Sequence, residues 1–258
     1  MTHAARRRFG QNFLHDANVI RRIIDAISPQ SADHFIEIGG GHGALTLPLA
    51  DQAGQVDVIE IDTDLASELR SRFEQNPKLR IFDADALDFD FSVCAQGENK
   101  LRVAGNLPYN ISTPLLFRLQ NYRTIILDMH LMLQKEVVDR MVAEPGTKAY
   151  GRLTVMLSRW FDIEACFDIR PGSFRPQPRV MSTLARLLVR ETPRFDVSDE
   201  QRFAALVTHL FSMRRKTLGR ALRGYVAPEV LTKLGIDAGT RAETLPPERL
   251  AEIAEAAG

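Results

Sequence analysis

Asn106-Leu107-Pro108-Tyr109 brings a side-chain amide, a stiffened backbone and an aromatic ring together within four residues. That combination suits one demanding reaction, the methylation of a planar exocyclic amine. The lone pair of such a nitrogen is delocalised into its ring, which makes it a poor nucleophile. Two acceptors holding the amine hydrogens favour a tetrahedral nitrogen and offset the positive charge it gains, each contributing roughly 1.5–3 kcal/mol. Asn106 offers its side-chain oxygen and Leu107 its backbone carbonyl. Pro108 fixes the backbone, and Tyr109 presents a face on which a base can stack. No strong general base is required, because the product nitrogen is acidic enough to lose its proton to solvent. The same four residues also read as an Asn-capped turn carrying a core tyrosine.

Two further stretches point to a bound nucleoside. In Glu37-Ile38-Gly39-Gly40-Gly41-His42-Gly43, glycines follow a strand pattern and open a helix pattern. Glycine permits close approach of backbone to ligand, and a helix N-terminus favours an anionic group. Glu60 ends the next strand pattern, where a carboxylate can accept both hydroxyls of a ribose. The pair indicates an adenosine-containing cofactor without saying which; Gly39-x-Gly41-x-x-Ala44 even fits a loose dinucleotide fingerprint, and a plain tight turn is the bland alternative. In Asp83-Ala84-Asp85-Ala86 a carboxylate can accept from an adenine amino group, or equally cap a helix. No GxxxxGK[ST] or HExxH is present, and the six histidines show no metal-ligand spacing, so no metal is expected. His42 reads as an exposed turn residue.

Positioning these groups falls to alternating strand and helix patterns. Asp16 is placed to cap a helix reaching Ile27, with apolar residues at helical spacing. Strands are expected at 34–38, 56–61, 79–85, 101–107 and 124–133, with Ser112 capping a short helix after the fourth. Strand–helix alternation implies a mostly parallel, doubly wound sheet. Two later segments, 160–169 and 182–189, are expected as an antiparallel pair at one edge. Beyond Pro193 the pattern is helical only, which sets a domain boundary there and predicts domains 1–192 and 193–258.

The 258 residues are 45% apolar and 26% charged, values of an ordinary folded chain. No apolar run approaches the roughly 20 residues that cross a bilayer, the N-terminus lacks a signal's apolar core, and Cys94 and Cys166 suggest no disulfide framework. Together these predict a cytoplasmic protein that neither enters a membrane nor needs one. Net charge is zero but uneven: residues 1–22 carry +4, 23–169 carry −9, 170–223 carry +8 and 224–258 carry −3. Of the 33 basic residues, 27 are arginine, whose planar guanidinium suits phosphate contact. A GC-rich genome would account for the arginine content, though less well for its clustering.

The chain resembles the S-adenosylmethionine-dependent KsgA (RsmA) family, which dimethylates two adjacent adenosines near the 3′ end of small-subunit (16S) ribosomal RNA. The resemblance spans nearly the whole chain. It rests on Arg8–Leu14 (RFGQNFL), Val103–Leu115 (VAGNLPYNISTPL), Met132–Arg140 (MLQKEVVDR), Ala149–Val155 (AYGRLTV), Pro171–Pro176 (PGSFRP) and Arg214–Thr217 (RRKT). It implies a Rossmann-like class I methyltransferase sheet of seven strands, mostly parallel, followed by a small all-helical RNA-binding domain. It implies S-adenosylmethionine as cofactor, S-adenosylhomocysteine as product, and the pre-30S subunit as partner of a monomer. By the resemblance, Asn12 and Leu14 close over the cofactor, Gly39 and Gly41 line its methionine end, and Glu60 holds the ribose. Ile61 packs on the adenine, Asp85 binds its amino group, and Asn106 sits between cofactor and target base. Phe174 opposes Tyr109 across that base, or else is a core aromatic. Arg6, Arg7, Arg8, Arg214, Arg215, Lys216, Arg220 and Arg223 are expected on RNA phosphates. Gly40 departs from the family's usual Pro, and Arg179 and Met181 from its usual Lys and Asp. The alternatives are an erythromycin-resistance methyltransferase acting on large-subunit rRNA, a non-catalytic assembly factor and, more distantly, a nicotinamide-dependent oxidoreductase.

Overall fold

A computed structural model describes residues 11–97 and 99–257. Arg6, Arg7 and Arg8 lie outside them. In chain order the described residues form β1 (Phe13–Leu14), α1 (Ala17–Ile27), β2 (His34–Ile38), α2 (Thr46–Gln52), β3 (Gln55–Glu60), α3 (Thr63–Arg72), β4 (Leu79–Asp83) and β5 (Leu101–Asn106). There follow α4 (Ser112–Asn121), β6 (Ile126–Gln134), α5 (Lys135–Met141), α6 (Arg152–Ser158), β7 (Phe161–Ile169), β8 (Phe174–Arg175) and β9 (Ser182–Val189). The remaining helices are α7 (Glu200–Ser212), α8 (Leu218–Ala221), α9 (Pro228–Lys233) and α10 (Pro247–Ala256).

β2 is buried along its whole length, as a central parallel strand covered on both faces must be. It pairs in parallel with β3 and β5; β4 continues the sheet beyond β3, and β6 beyond β5. The order across the sheet is β4-β3-β2-β5-β6-β9-β7. The chain therefore moves outward from β2 to β4 and returns to β5, which places the topological switch point between β2 and β5. Ligands of such sheets bind at the carboxyl ends of the strands flanking that point. β9 runs antiparallel to β6, so the antiparallel contact at this end is made with β6, not only between the two last long strands. β1 and β8 form a separate two-stranded pair.

Helix starts follow side-chain chemistry. The Asp16 carboxylate accepts from the Asn18 and Val19 N–H groups and caps α1, whose Ile23, Ile24 and Ile27 are buried against the sheet. Burial of such side chains contributes roughly 1.5–3 kcal/mol each. Ser112 is not the cap of α4 that the sequence suggests. Ile111 holds that position, and the Ser112 hydroxyl donates instead to the Pro108 carbonyl at 3.1 Å.

The residues fall into two compact units, one running to Val138 and including Ile163–Val189, the other comprising Asp139–Asp162 and Arg190–Gly258. This differs from the expected division at 192/193, because the helical unit also takes residues upstream. Tyr150 and Val155 share a core with Phe203, Leu206, Leu250 and Ile253, and the Tyr150 hydroxyl donates to the Leu245 carbonyl at 2.8 Å. The segment 152–158 carries the helix α6 into this unit. Its partners, 40 or more positions downstream, cannot be read from local periodicity.

Candidate active site

Strand register brings the two glycine-bearing strand ends together. Ile38 lies opposite Gly105 across β2 and β5, so Gly39 and Asn106 leave the sheet side by side. Gly105 is required by this approach: a Cβ there would lie 2.6 Å from the Ile38 carbonyl oxygen. Gly39 and Gly41 hold φ of 78° and 54°, left-handed conformations that side chains rarely adopt, which answers why glycines open this turn. A cavity of about 240 Å³ lies over them, lined by Ile38, Ile59, Ile61, Ala84 and Ala86 on its apolar walls and by Glu60, Asp85 and Asn106 among its polar groups. Apolar walls with a few convergent acceptors are what a purine nucleoside needs.

Glu60 is 4% exposed and its carboxylate accepts from the Gly41 and Asp62 N–H groups, each at 2.9 Å. It therefore braces the glycine turn, a role the sequence did not signal. A carboxylate has roughly four acceptor sites, so capacity remains for a ribose hydroxyl. Burial pushes its pKa above the ordinary glutamate value, against the backbone donors of Asp62, Gly41 and Ile61. Asp85 opens a turn and not the helix that the sequence allowed: one oxygen accepts from the Leu87 N–H at 2.8 Å, and the residue lines the cavity.

Asn106 is oriented by its neighbours. Its side-chain nitrogen donates to the Asn12 carbonyl at 2.7 Å, which commits the amide group and leaves Oδ1 as its acceptor at the cavity. The Leu107 N–H donates to the Met132 carbonyl at 3.2 Å. The Pro108 carbonyl is occupied by Ile111 N–H and the Ser112 hydroxyl, and Leu107 lines the cavity. Tyr109 is half-buried on the cavity wall, its phenol 2.8 Å from the Ser182 hydroxyl; burial raises its pKa, so it stays neutral.

The arm of residues 11–16 lies across this cavity. β1 pairs with β8, the His15 N–H donates to the Ser173 carbonyl, and Gln11 donates to Asp62. Asn12 lines the cavity as expected. Leu14 does not line its main body: it is 6% exposed, paired with Phe174, and reaches only a small adjoining hollow. Phe13, which the sequence did not mark, faces the cavity instead and packs on Gly41 and the His42 ring. Alternation along a two-residue strand explains the exchange. His42 is thus part of the turn's aromatic contact, not merely exposed.

Phe174 does not oppose Tyr109 across the cavity. It is 2% exposed, within the core beside Leu14, Ile169 and Leu184, and does not line the cavity. Its strand pairing with Leu14 fixes it inward. Of the basic residues, Arg214 is engaged in an ion pair with Glu243 and donates to the Thr147 carbonyl at 3.2 Å, so it ties its own unit together. Arg215, Lys216, Arg220 and Arg223 are exposed.

Glu37, in the middle of β2, is a titratable group with no surface outlet, at 1% exposure. Burial pushes its pKa up to about 8; the Thr46 hydroxyl opposes this and nearby Glu60 adds to it. An acid whose native pKa exceeds its unfolded value contributes fully below about 4.5, and that stability is lost as pH rises toward 8. Glu37→Gln is expected to leave stability nearly unchanged at pH 5 and to raise it relative to the parent by roughly 1.4 kcal/mol per pH unit as pH rises from there toward 8. Chemical denaturation of both proteins at pH 5 and pH 8 checks this; equal stability at pH 8 contradicts it.

Comparison with known proteins matches this geometry. The family model described as Ribosomal RNA adenine dimethylase matches residues 2–257. The chain is 48% identical over 243 residues to Ribosomal RNA small subunit methyltransferase A of Acinetobacter baylyi, covering 94% of this chain and 89% of that one. With the protein of the same name from Nitrosospira multiformis it shares 49% over 245 residues, 95% and 93% of the two chains. Among solved structures, a dimethyladenosine transferase from Plasmodium falciparum superposes with a TM-score of 0.80 at 26% identity, covering 93% of this chain and 95% of that one. The 23S rRNA methyltransferase ErmE gives 0.71 at 26% identity, covering 95% and 98%. The seven-stranded sheet, the glycine turn at its switch point and the full-length match agree: this chain belongs to the ribosomal RNA adenine dimethylase family.

Proposed function

We propose that this protein transfers methyl groups from S-adenosylmethionine to N6 of two adjacent adenosines near the 3′ end of 16S rRNA, within the pre-30S subunit, yielding N6,N6-dimethyladenosine. The observation that carries this reading is the placement of Asn106 beside Gly39 with its amide nitrogen already committed to Asn12. The cavity's residues fit the cofactor: Glu60 would hold the ribose, Asp85 the adenine amino group, Ile61 the adenine face, and the Gly39–Gly41 turn the methionine end. When bound, S-adenosylmethionine supplies a methyl group made electrophilic by its sulfonium. Asn106 Oδ1 and the Leu107 carbonyl accept the N6 hydrogens of the target adenine and stabilise charge as it develops on nitrogen. Tyr109 stacks on the base, which must first leave its own stack. The released proton passes to solvent.

Arg6, Arg7, Arg8, Arg215, Lys216, Arg220 and Arg223 would contact phosphates, giving affinity that falls with salt. The protein would act as a cytoplasmic monomer; no helix among the described residues is long and apolar enough to cross a membrane. Likeness to ErmE keeps large-subunit rRNA as the competing substrate, while the 48–49% identities to small-subunit enzymes support the first reading. Incubation with labelled methyl donor and under-methylated subunits separates them. Label in small-subunit rRNA is expected; label confined to large-subunit rRNA would overturn the proposal.

A further inference from the structure

Tyr109 has one polar atom, and the structure gives it one partner. Its phenol oxygen lies 2.8 Å from Ser182 Oγ, and Ser182 is 1% exposed at the start of β9. Both neighbours of Ser182 are pinned. The Met181 carbonyl accepts the Lys135 N–H at 2.9 Å. The Thr183 hydroxyl donates to Asp168 at 2.6 Å, and Asp168 pairs with Lys135 Nζ at 3.2 Å. Ser182 itself faces Gln134 across β6 and β9. Its hydroxyl is therefore a fixed point on a rigid strand, whereas Tyr109 stands on the turn between β5 and α4. A ring held at its far end cannot swing about its first side-chain torsion, so the bond sets the tilt of the stacking face relative to Asn106.

We propose that Ser182 is a positioning residue for Tyr109 and that it governs the second methyl transfer more than the first. The inference rests on the functional reading above. An unmethylated adenine offers two N6 hydrogens to the two acceptors, Asn106 Oδ1 and the Leu107 carbonyl. After one transfer a single N6 hydrogen remains, so one acceptor bond is lost and the added methyl group must be accommodated. Orientation of the returning base then depends more on stacking against Tyr109, and a ring free to tilt costs the second step most. The contact also bears on the departure at position 181. Methionine there brings no carboxylate to the loop, and the backbone of residue 181 together with the Ser182 hydroxyl supplies the anchoring.

The test is single-turnover methylation of under-methylated small subunits by the full-length protein, with monomethyl- and dimethyladenosine quantified separately. Ser182→Ala is expected to lower the dimethyl to monomethyl ratio by about fivefold to tenfold, the scale of a weakened base–aromatic stack, with a smaller effect on the first transfer and unchanged affinity for S-adenosylhomocysteine. Ser182→Thr, which keeps the hydroxyl, should restore the ratio. Tyr109→Phe, which keeps the ring and removes the same bond from the other side, should match Ser182→Ala, and the double variant should be no worse than either. Should Ser182→Ala fail to fold, Tyr109→Phe and Ser182→Thr carry the comparison. A readout independent of turnover is the ¹⁹F spectrum of protein labelled with 3-fluorotyrosine, in which the Tyr109 signal is identified by its loss in Tyr109→Phe. That signal should shift in Ser182→Ala and return in Ser182→Thr. A wild-type ratio in Ser182→Ala, multiplying effects in the double variant, or an unmoved Tyr109 signal would each overturn the inference. Parent protein that transfers no methyl group to either subunit would refute the functional reading instead, and the fluorine spectrum would still decide the Ser182 contact.

Discussion

Asn106→Ala is expected to abolish methyl transfer, by at least about 10²–10³-fold in the single-turnover rate, the loss seen when one preorganised hydrogen-bonding group is removed from a site of developing charge. The variant loses the acceptor that holds the amine and, with it, the donor that ties Asn106 to the Asn12 carbonyl at 2.7 Å. Affinity for rRNA should stay nearly unchanged, because it comes from phosphate contacts spread over the basic residues. Asn106→Asp separates the two losses. It keeps an acceptor but sets a carboxylate against the Asn12 carbonyl, so the arm of residues 11–16 is repelled and cofactor affinity falls along with the rate. Rates measured with enzyme in excess, together with filter binding of rRNA, test this. Alanine variant that turns over at more than about a tenth of the parental rate, less than 1.4 kcal/mol of lost stabilisation, would remove Asn106 from the chemistry.

Arg102→Ala is expected to give the largest loss of stability, about 3–5 kcal/mol. The Arg102 guanidinium donates to both oxygens of Asp128 at 2.8 Å, to Asp33 at 2.7 Å and to the Ile27 carbonyl at 2.8 Å. It also lies 4.9 Å above the centre of the Phe35 ring. The Arg102 and Asp128 side chains are only 10% and 5% exposed, so solvent does little to screen what the truncation leaves behind. Removing the arginine strands the Asp128 carboxylate and a helix-terminal carbonyl at the amino end of the sheet, leaves Asp33 with the Gln30 N–H, and detaches the end of α1 from β5 and β6. The expected fall in Tm is about 10 °C or more. Cofactor affinity, measured where the variant is folded, should be unaffected, because the cavity is at the opposite ends of these strands. A loss below about 1 kcal/mol would mean that the network is no more than an exposed surface pair.

Much of this was legible in the sequence for physical reasons. The parallel strands read as short apolar runs because both faces are covered, and Asp16 read as a cap because its carboxylate lies immediately before an isoleucine stripe. The glycine turn, Glu60, Asp85 and the Asn106–Tyr109 turn stood out because each follows the carboxyl end of an apolar strand pattern, where sheets of this kind bind their ligands. What local pattern could not give was set by pairing across long separations. The partner of Leu14 is Phe174, 160 positions away, and that pairing sends both side chains inward and Phe13 toward the cavity. Arg214 looked like one more phosphate contact until Glu243, brought near by the helical unit's fold, took it up. The bracing of the glycine turn by Glu60 and the anchoring of Tyr109 by Ser182 had no sequence signal, since each depends on where a strand end meets a loop.

The central claim is that the turn after β5 presents an adenine amino group for methylation. Its most direct test is mapping, by nuclease digestion and mass spectrometry, the methylated nucleosides in 16S rRNA from under-methylated small subunits after reaction with the purified protein and S-adenosylmethionine. N6,N6-dimethyladenosine at two neighbouring positions near the 3′ end is the expected result. Methylation on a ring carbon, on a ring nitrogen or on a ribose, with N6 untouched, would contradict it.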